Sequence, residues 1–136
     1  MGQKVNPVGL RIGISRDWNS RWYANNKDFA TFLDEDIKIR KFLEKKLKAC
    51  LVSHIEIERI KGKIKVSIFT AAPGMVLGQE AKNIKELKKE VSKLIKGKEV
   101  NLSVVEVKAP NLDATIVAQK MAKNLEERAS FRSVQK

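Results

Sequence analysis

Hydrophobic positions alternate with polar ones through residues 52–70, with Ile55 and Ile57 in one run and Ile64, Val66 and Ile68 in the next. That is the period of half-buried strands. A two-residue turn at Lys61-Gly62 pairs Ile57 with Val66 and Ile55 with Ile68, placing all four on one face of a hairpin. Pro73 ends the second strand and presets φ for a short helical turn from Gly74 to Leu77, and Gly78 breaks that turn. The period then becomes helical, with Ile84, Leu87, Val91, Leu94 and Ile95 inside. Lys82, Lys85, Lys88, Lys89, Lys93 and Lys96 share the polar positions. Lys96-Gly97 closes the helix with a basic last turn and a glycine stop. Val100, Leu102 and Val104 predict a third strand, returned parallel to the second by a right-handed crossover. Val104-Val105 breaks the alternation, which predicts a bulge.

Upstream, residues 28–48 predict a helix with Phe32, Leu33, Ile37, Leu43 and Leu47 inward and Phe42 at the edge. Asp34 is the expected N-cap, with Glu35 and Asp36 in the first turn and Lys45, Lys46 and Lys48 in the last. Three consecutive carboxylates do not share a helix face, so they are assigned to compensating the macrodipole rather than to a metal. Cys50 is expected as a small packed hydrophobe and His54 as a surface residue opposite the core face. Ala109-Pro110 marks a boundary; Asn111 would cap a last helix with Ala114, Val117, Ala118, Met121 and Leu125 inside. The expected fold is α+β, a three-stranded mixed sheet packed on helices. Residues 1–27 form a basic N-terminal arm, 28–108 the domain, and 109–136 a last helix and a basic stub.

Charge sharpens this picture. The 136 residues carry a formal +12, and Lys and Arg exceed Asp and Glu by four in residues 1–27 and again by four in 73–98. A polyanionic partner is favoured, nucleic acid ahead of an anionic membrane. In the arm, Lys4, Arg11, Arg16, Arg21 and Lys27 are interleaved with Trp18, Trp22 and Tyr23. Such an arm either meets phosphates and bases or covers the domain's apolar surface. A single Cys50 rules out an internal disulfide and suits a reducing compartment, so a cytoplasmic setting is expected. No apolar run approaches the roughly 20 residues of a spanning helix.

Strand, short helix, glycine loop, basic helix, strand resembles the core of a KH RNA-binding domain, whose GXXG loop clamps nucleic-acid backbone. The order α-β-β-α-α-β resembles its type II topology. Five stretches in register extend the resemblance over essentially the whole chain: Met1-Gly2-Gln3-Lys4-Val5-Asn6-Pro7, Ser20-Arg21-Trp22, Glu35-Asp36 through Ile39-Arg40, Pro73-Gly74-Met75-Val76-Leu77-Gly78, and Leu125-Glu126-Glu127-Arg128 with Ser130-Phe131-Arg132. Together they are similar to the bacterial family of small-subunit ribosomal protein three. That family continues well beyond this point with a second domain opened by this last helix. The resemblance thus makes 109–136 the first helix and stub of an incomplete C-terminal domain, and the chain is expected to be either a short product or a piece of a longer one.

The resemblance implies a structural ribosomal protein of the cytoplasm, binding ribosomal RNA in the subunit head beside the messenger path and touching neighbouring ribosomal proteins. It lays the arm against RNA, through Lys4, Arg11, Arg16, Arg21 and Trp22. It adds Gly74, Gly78, Gln79, Lys82, Lys85 and Lys89 from the loop and its helices, and Arg132 from the stub. Ala81 stands where the second loop glycine belongs, and Gln79-Glu80 lack the basic residue that relatives carry. Contact through the arm and the lysines is therefore expected to exceed clamping by the loop. Phe131-Arg132-Ser133 is one arginine short of the family's segment. The alternative is a free-standing KH regulator of single-stranded RNA. Neither cofactor, metal, membrane nor small-molecule substrate is expected. No enzyme is expected either: the sequence has no Walker A motif, no metal-spaced Cys/His set and no nucleophile with a plausible base.

Overall fold

The computed structural model describes the chain except for Met1, Lys61, Gln79, Glu80, Lys96, Gly97 and Lys136. The tight turn at Lys61, the variable pair Gln79-Glu80 and the helix stop at Lys96-Gly97 thus lie outside the described residues. The elements run α1 (Pro7–Arg11), β1 (Ser20–Arg21), α2 (Asn26–Lys46), β2 (Val52–Ile60), β3 (Lys63–Thr70), α3 (Pro73–Leu77), α4 (Lys82–Leu94), β4 (Val100–Glu106), α5 (Ala114–Glu126) and α6 (Phe131–Val134). Short 3₁₀ turns lie at Lys48–Cys50 and Pro110–Leu112.

The alternation in the hairpin sets the core. Ile57 pairs with Val66 and Ile55 with Ile68, in the expected antiparallel register, and all four side chains are buried. β4 runs parallel to β3 from Val100 opposite Ile64 to Glu106 opposite Thr70. Against this face lie Ile39, Leu43 and Leu47 of α2 and its end, Val76 of α3, and Leu87, Val91 and Ile95 of α4 and its end. Each such side chain contributes about 1.5–3 kcal/mol on burial. Thr70 is buried with them, its hydroxyl donating to the Cys50 carbonyl at 2.6 Å, so it leaves no polar group unmet.

Four expectations are corrected. The sheet has four strands, in the order β1-β2-β3-β4, because the arm contributes β1 parallel to β2, with Ser20 opposite Ile57 and Arg21 opposite Glu58. The arm also contains α1, capped by Asn6, whose side chain accepts from the Val8 and Gly9 N–H groups. α2 begins at Asn26, so Asp34 lies inside the helix and pairs with Lys38 instead of capping. Leu33 and Ile37 are exposed, whereas Glu35 and Asp36 are buried a turn before Ile39. β4 has no bulge: Val105 simply occupies the outer face opposite Phe69, which stacks on His54 at 4.3 Å, and the irregularity falls in β2 between Val52 and His54.

α5 is capped by Asp113, not Asn111, through the N–H groups of Thr115 and Ile116. Its inner residue is the fully buried Ile116; Ala114, Ala118 and Leu125 face solvent. A branched side chain buries more apolar area than an alanine, so the helix turns it toward β2. The rest of the outer β2 edge is closed by side chains. Arg40 donates to the Ile55 carbonyl at 2.5 Å and Gln119 to the Val52 carbonyl at 2.9 Å. Those carbonyls would otherwise offer an open edge to another strand.

Candidate nucleic-acid interface

The loop between α3 and α4 is built on backbone geometry. Pro73 starts α3, and the Gly78 N–H closes it on the Gly74 carbonyl at 2.9 Å. Gly78 has φ +68° and ψ −179°, a conformation essentially confined to glycine. A Cβ there would also meet the Asn83 side chain at 2.5 Å. Ala81 enters α4 with φ +56° and ψ +31°, the left-handed conformation that costs an L-residue about 1–2 kcal/mol. The loop thus keeps glycine geometry at both ends, although only one end is glycine.

Ala81 supplies no side-chain acceptor, and no acidic residue occupies the first turn of α4. The first amides of that helix therefore suit an anion, aided by the helix dipole. Lys82, Lys85, Lys89 and Lys93 follow at spacings of three or four and form an outward stripe opposite Leu87 and Val91. All four are exposed, and among the described residues Lys85 and Lys89 form no ion pair. Lys88 instead reaches Asn101 on β4 at 3.1 Å. Glu86 and Glu90 border the groove toward α2, where Glu90 pairs with Lys46 at 3.2 Å.

The arm divides in two. Lys4, Arg11 and Arg16 are exposed, and the Arg11 guanidinium donates to the Pro7 carbonyl of its own helix at 2.7 Å. Trp18 and Tyr23 present rings that are 62% and 89% exposed. Arg21, by contrast, is engaged by Asp17, Glu56 and Glu58 at 3.2–3.6 Å. Trp22 is packed within 6 Å of the Phe29 and Phe32 rings and donates its indole N–H to Asp36 at 2.8 Å. Arg21 and Trp22 thus fasten the arm, and the rings offered outward are the two that the sequence reading left out of its site. Their alternation with Arg16 and Arg21 was the available signal.

The fastening point is a buried polar cluster. Arg59, on the core face of β2, donates to Asp36 at 2.5 and 3.2 Å, to Glu35 at 2.7 Å and to the Phe32 carbonyl at 3.1 Å. Lys98 adds a bond to Glu35 at 2.6 Å. Burial raises the Glu35 carboxyl, but hydrogen bonds from Lys98 and Arg59, with their charges, outweigh it and hold the group below its ordinary value. Glu35 and Asp36 are thus a core anchor, correcting the macrodipole assignment. A dipole is compensated at a helix terminus, and these residues lie well inside α2.

Gly74 lies in α3, Gln79 falls outside the described residues, and Arg132 is exposed on α6, which packs on α5. His54 is half-buried rather than at the surface. Its Nδ1 is 2.8 Å from the Ser53 hydroxyl, which donates to Asp113 at 2.5 Å. In a nucleophilic triad the imidazole stands between hydroxyl and carboxylate; here the hydroxyl is in the middle, and the carboxylate caps α5. Burial lowers the His54 pKa, and nearby Arg16 adds to this against the opposing charges of Glu56 and Asp113. Among the described residues no group of three His, Cys, Asp or Glu side chains could hold a metal ion. No described helix is long and apolar enough to cross a membrane.

Residues 38–112, from inside α2 to the turn before α5, match the family profile described as a KH domain. The chain belongs to the KH domain family. The KH unit has the α-β-β-α-α-β order, with the arm strand added at its free edge. Across all 136 residues the chain is 52% identical to the "Small ribosomal subunit protein uS3" of Staphylococcus aureus strains Mu3, Mu50 and N315. It spans 62% of the length of each.

Proposed function

We propose that this chain serves in the small ribosomal subunit as a uS3-type protein, binding ribosomal RNA with its KH unit and its arm. The observation that carries the reading is the 52% identity sustained over every residue to proteins of that name. The KH match and the concentration of charge in the arm and α4 support it. Lys85 and Lys89, with Lys82, would neutralise backbone phosphates along α4, and the α4 N-terminus would take one phosphate on its amides. Lys4, Arg11 and Arg16 would do the same from the arm, while Trp18 and Tyr23 stack on exposed bases.

In this reading residues 1–27, 28–108 and 109–136 act as arm, KH unit and start of a further domain. The protein lies in the subunit head beside the messenger path, contacting ribosomal RNA, neighbouring ribosomal proteins and messenger RNA. It works in the cytoplasm, as a structural constituent and not as a catalyst. Co-sedimentation of a tagged chain with small subunits, against binding to short single-stranded RNA, tests this. Stable association with the subunit is expected. Binding to short RNA with none to subunits would overturn it in favour of a free-standing regulator.

A further inference from the structure

We propose that Asp36 is the positioning residue that joins the arm and the KH unit into one rigid RNA-binding surface; this deepens, and rests on, the RNA-binding reading above. Asp36 is only 3% exposed. One of its carboxylate oxygens accepts from the arm: the Trp22 indole N–H at 2.8 Å and the Ser20 hydroxyl at 3.2 Å. The other accepts from Arg59 on β2. Its neighbour Glu35 holds the remaining arm of the Arg59 guanidinium and the ammonium of Lys98, which lies between α4 and β4. One turn of α2 therefore grips the arm with one carboxylate and the far end of the lysine helix with the other, and Arg59 bridges the two.

The ladder alone is a weak tether, because β1 is two residues long. Buried charged hydrogen bonds are not readily replaced by water, so they fix what the short strand cannot. An arm without Asp36 keeps its charge and its contacts through Arg21 and Arg40, but is looser and must be ordered more fully at each encounter with RNA. Held at Ser20 and Trp22, the arm keeps its upstream basic residues, Arg11 and Arg16, close to the domain that carries Lys85 and Lys89. RNA bound by one group then meets the other at high effective concentration.

The test uses Asp36→Asn and the milder Trp22→Phe, which removes the indole donor and some ring area but keeps an aromatic side chain, at a temperature where circular dichroism shows each folded. The probe is a small-subunit ribosomal RNA fragment that the parent chain binds. Asp36→Asn removes one negative charge, which alone would tighten binding; it is expected instead to weaken it roughly five- to tenfold, and Trp22→Phe about two- to threefold. In a chain lacking residues 2–21, Asp36→Asn should leave affinity unchanged or slightly tighter. Hydrogen exchange at the Ile57 amide, which donates to the Asn19 carbonyl at 2.9 Å, should accelerate in both variants, with or without RNA. Equal or tighter binding by Asp36→Asn would overturn the proposal. So would equal weakening with and without the arm, the mark of a general structural effect. A parent that binds no ribosomal RNA would instead remove the reading beneath it.

Discussion

The two basic surfaces are attached to the same core by opposite means. The lysine helix α4 is seated by aliphatic burial of Leu87, Val91 and Ile95. The arm is seated by a buried ionic cluster of Glu35, Asp36 and Arg59 with the Trp22 indole. Aliphatic anchorage is non-directional and indifferent to pH. The ionic anchorage is directional and holds only while each partner is present and charged, because a lone buried charge is expensive. The comparison teaches that equal charge on the outside can rest on anchors that fail under different conditions.

The largest expected effect breaks the ionic anchor. Arg59→Ala leaves the buried Asp36 without its guanidinium partner and Glu35 with Lys98 alone, and should destabilise the domain by about 3–5 kcal/mol in urea unfolding at neutral pH. Leu87→Ala, in the aliphatic anchor, should cost about 2–4 kcal/mol. The two differ in their response to acid: the cost of Arg59→Ala should shrink as Glu35 protonates, whereas that of Leu87→Ala should persist. Equal costs at both pH values would erase the distinction.

This difference also governs what was legible in the sequence. Ile55, Ile57, Val66 and Ile68 declare their face by alternation, and Leu87, Val91 and Ile95 by helical spacing, so the hairpin and α4 could be read directly. Glu35 and Asp36 occupy core positions without an apolar signal, and their partner Arg59 lies more than 20 residues away. Nothing local marks the three as a unit. β1 is too short to show a period, so the arm's strand was invisible as well. In the candidate site, the lysines and Gly78 were plain. The left-handed Ala81 was not, since the loop around it imposes that conformation on a residue that does not favour it.

An acid titration sharpens the comparison further. The folded-state pKa of Glu35 lies below the ordinary 4.5, so its contribution to stability is fully present above about that pH. It is lost as pH falls through the lower folded value. Glu35→Gln should flatten this part of the stability profile, and Leu87→Ala should leave its slope unchanged. A parent profile level down to pH 3 would contradict the assignment.

The smallest effect concerns the loop end of α4. Ala81→Gly relieves a left-handed alanine at the N-cap and should stabilise the domain by about 0.5–1 kcal/mol in thermal unfolding. A loss of stability would mean that Ala81 acts as an ordinary helical residue.

The claim that both surfaces meet RNA is tested most directly by the salt dependence of ribosomal RNA binding. Each lost phosphate contact lowers the log–log slope by roughly 0.7–0.9. Lys85→Ala with Lys89→Ala should therefore reduce the slope by about 1.4–1.8, Arg11→Ala with Arg16→Ala by about the same, and all four together by about the sum. An unchanged slope in either pair, with the fold intact, would remove that surface from the RNA and contradict the account.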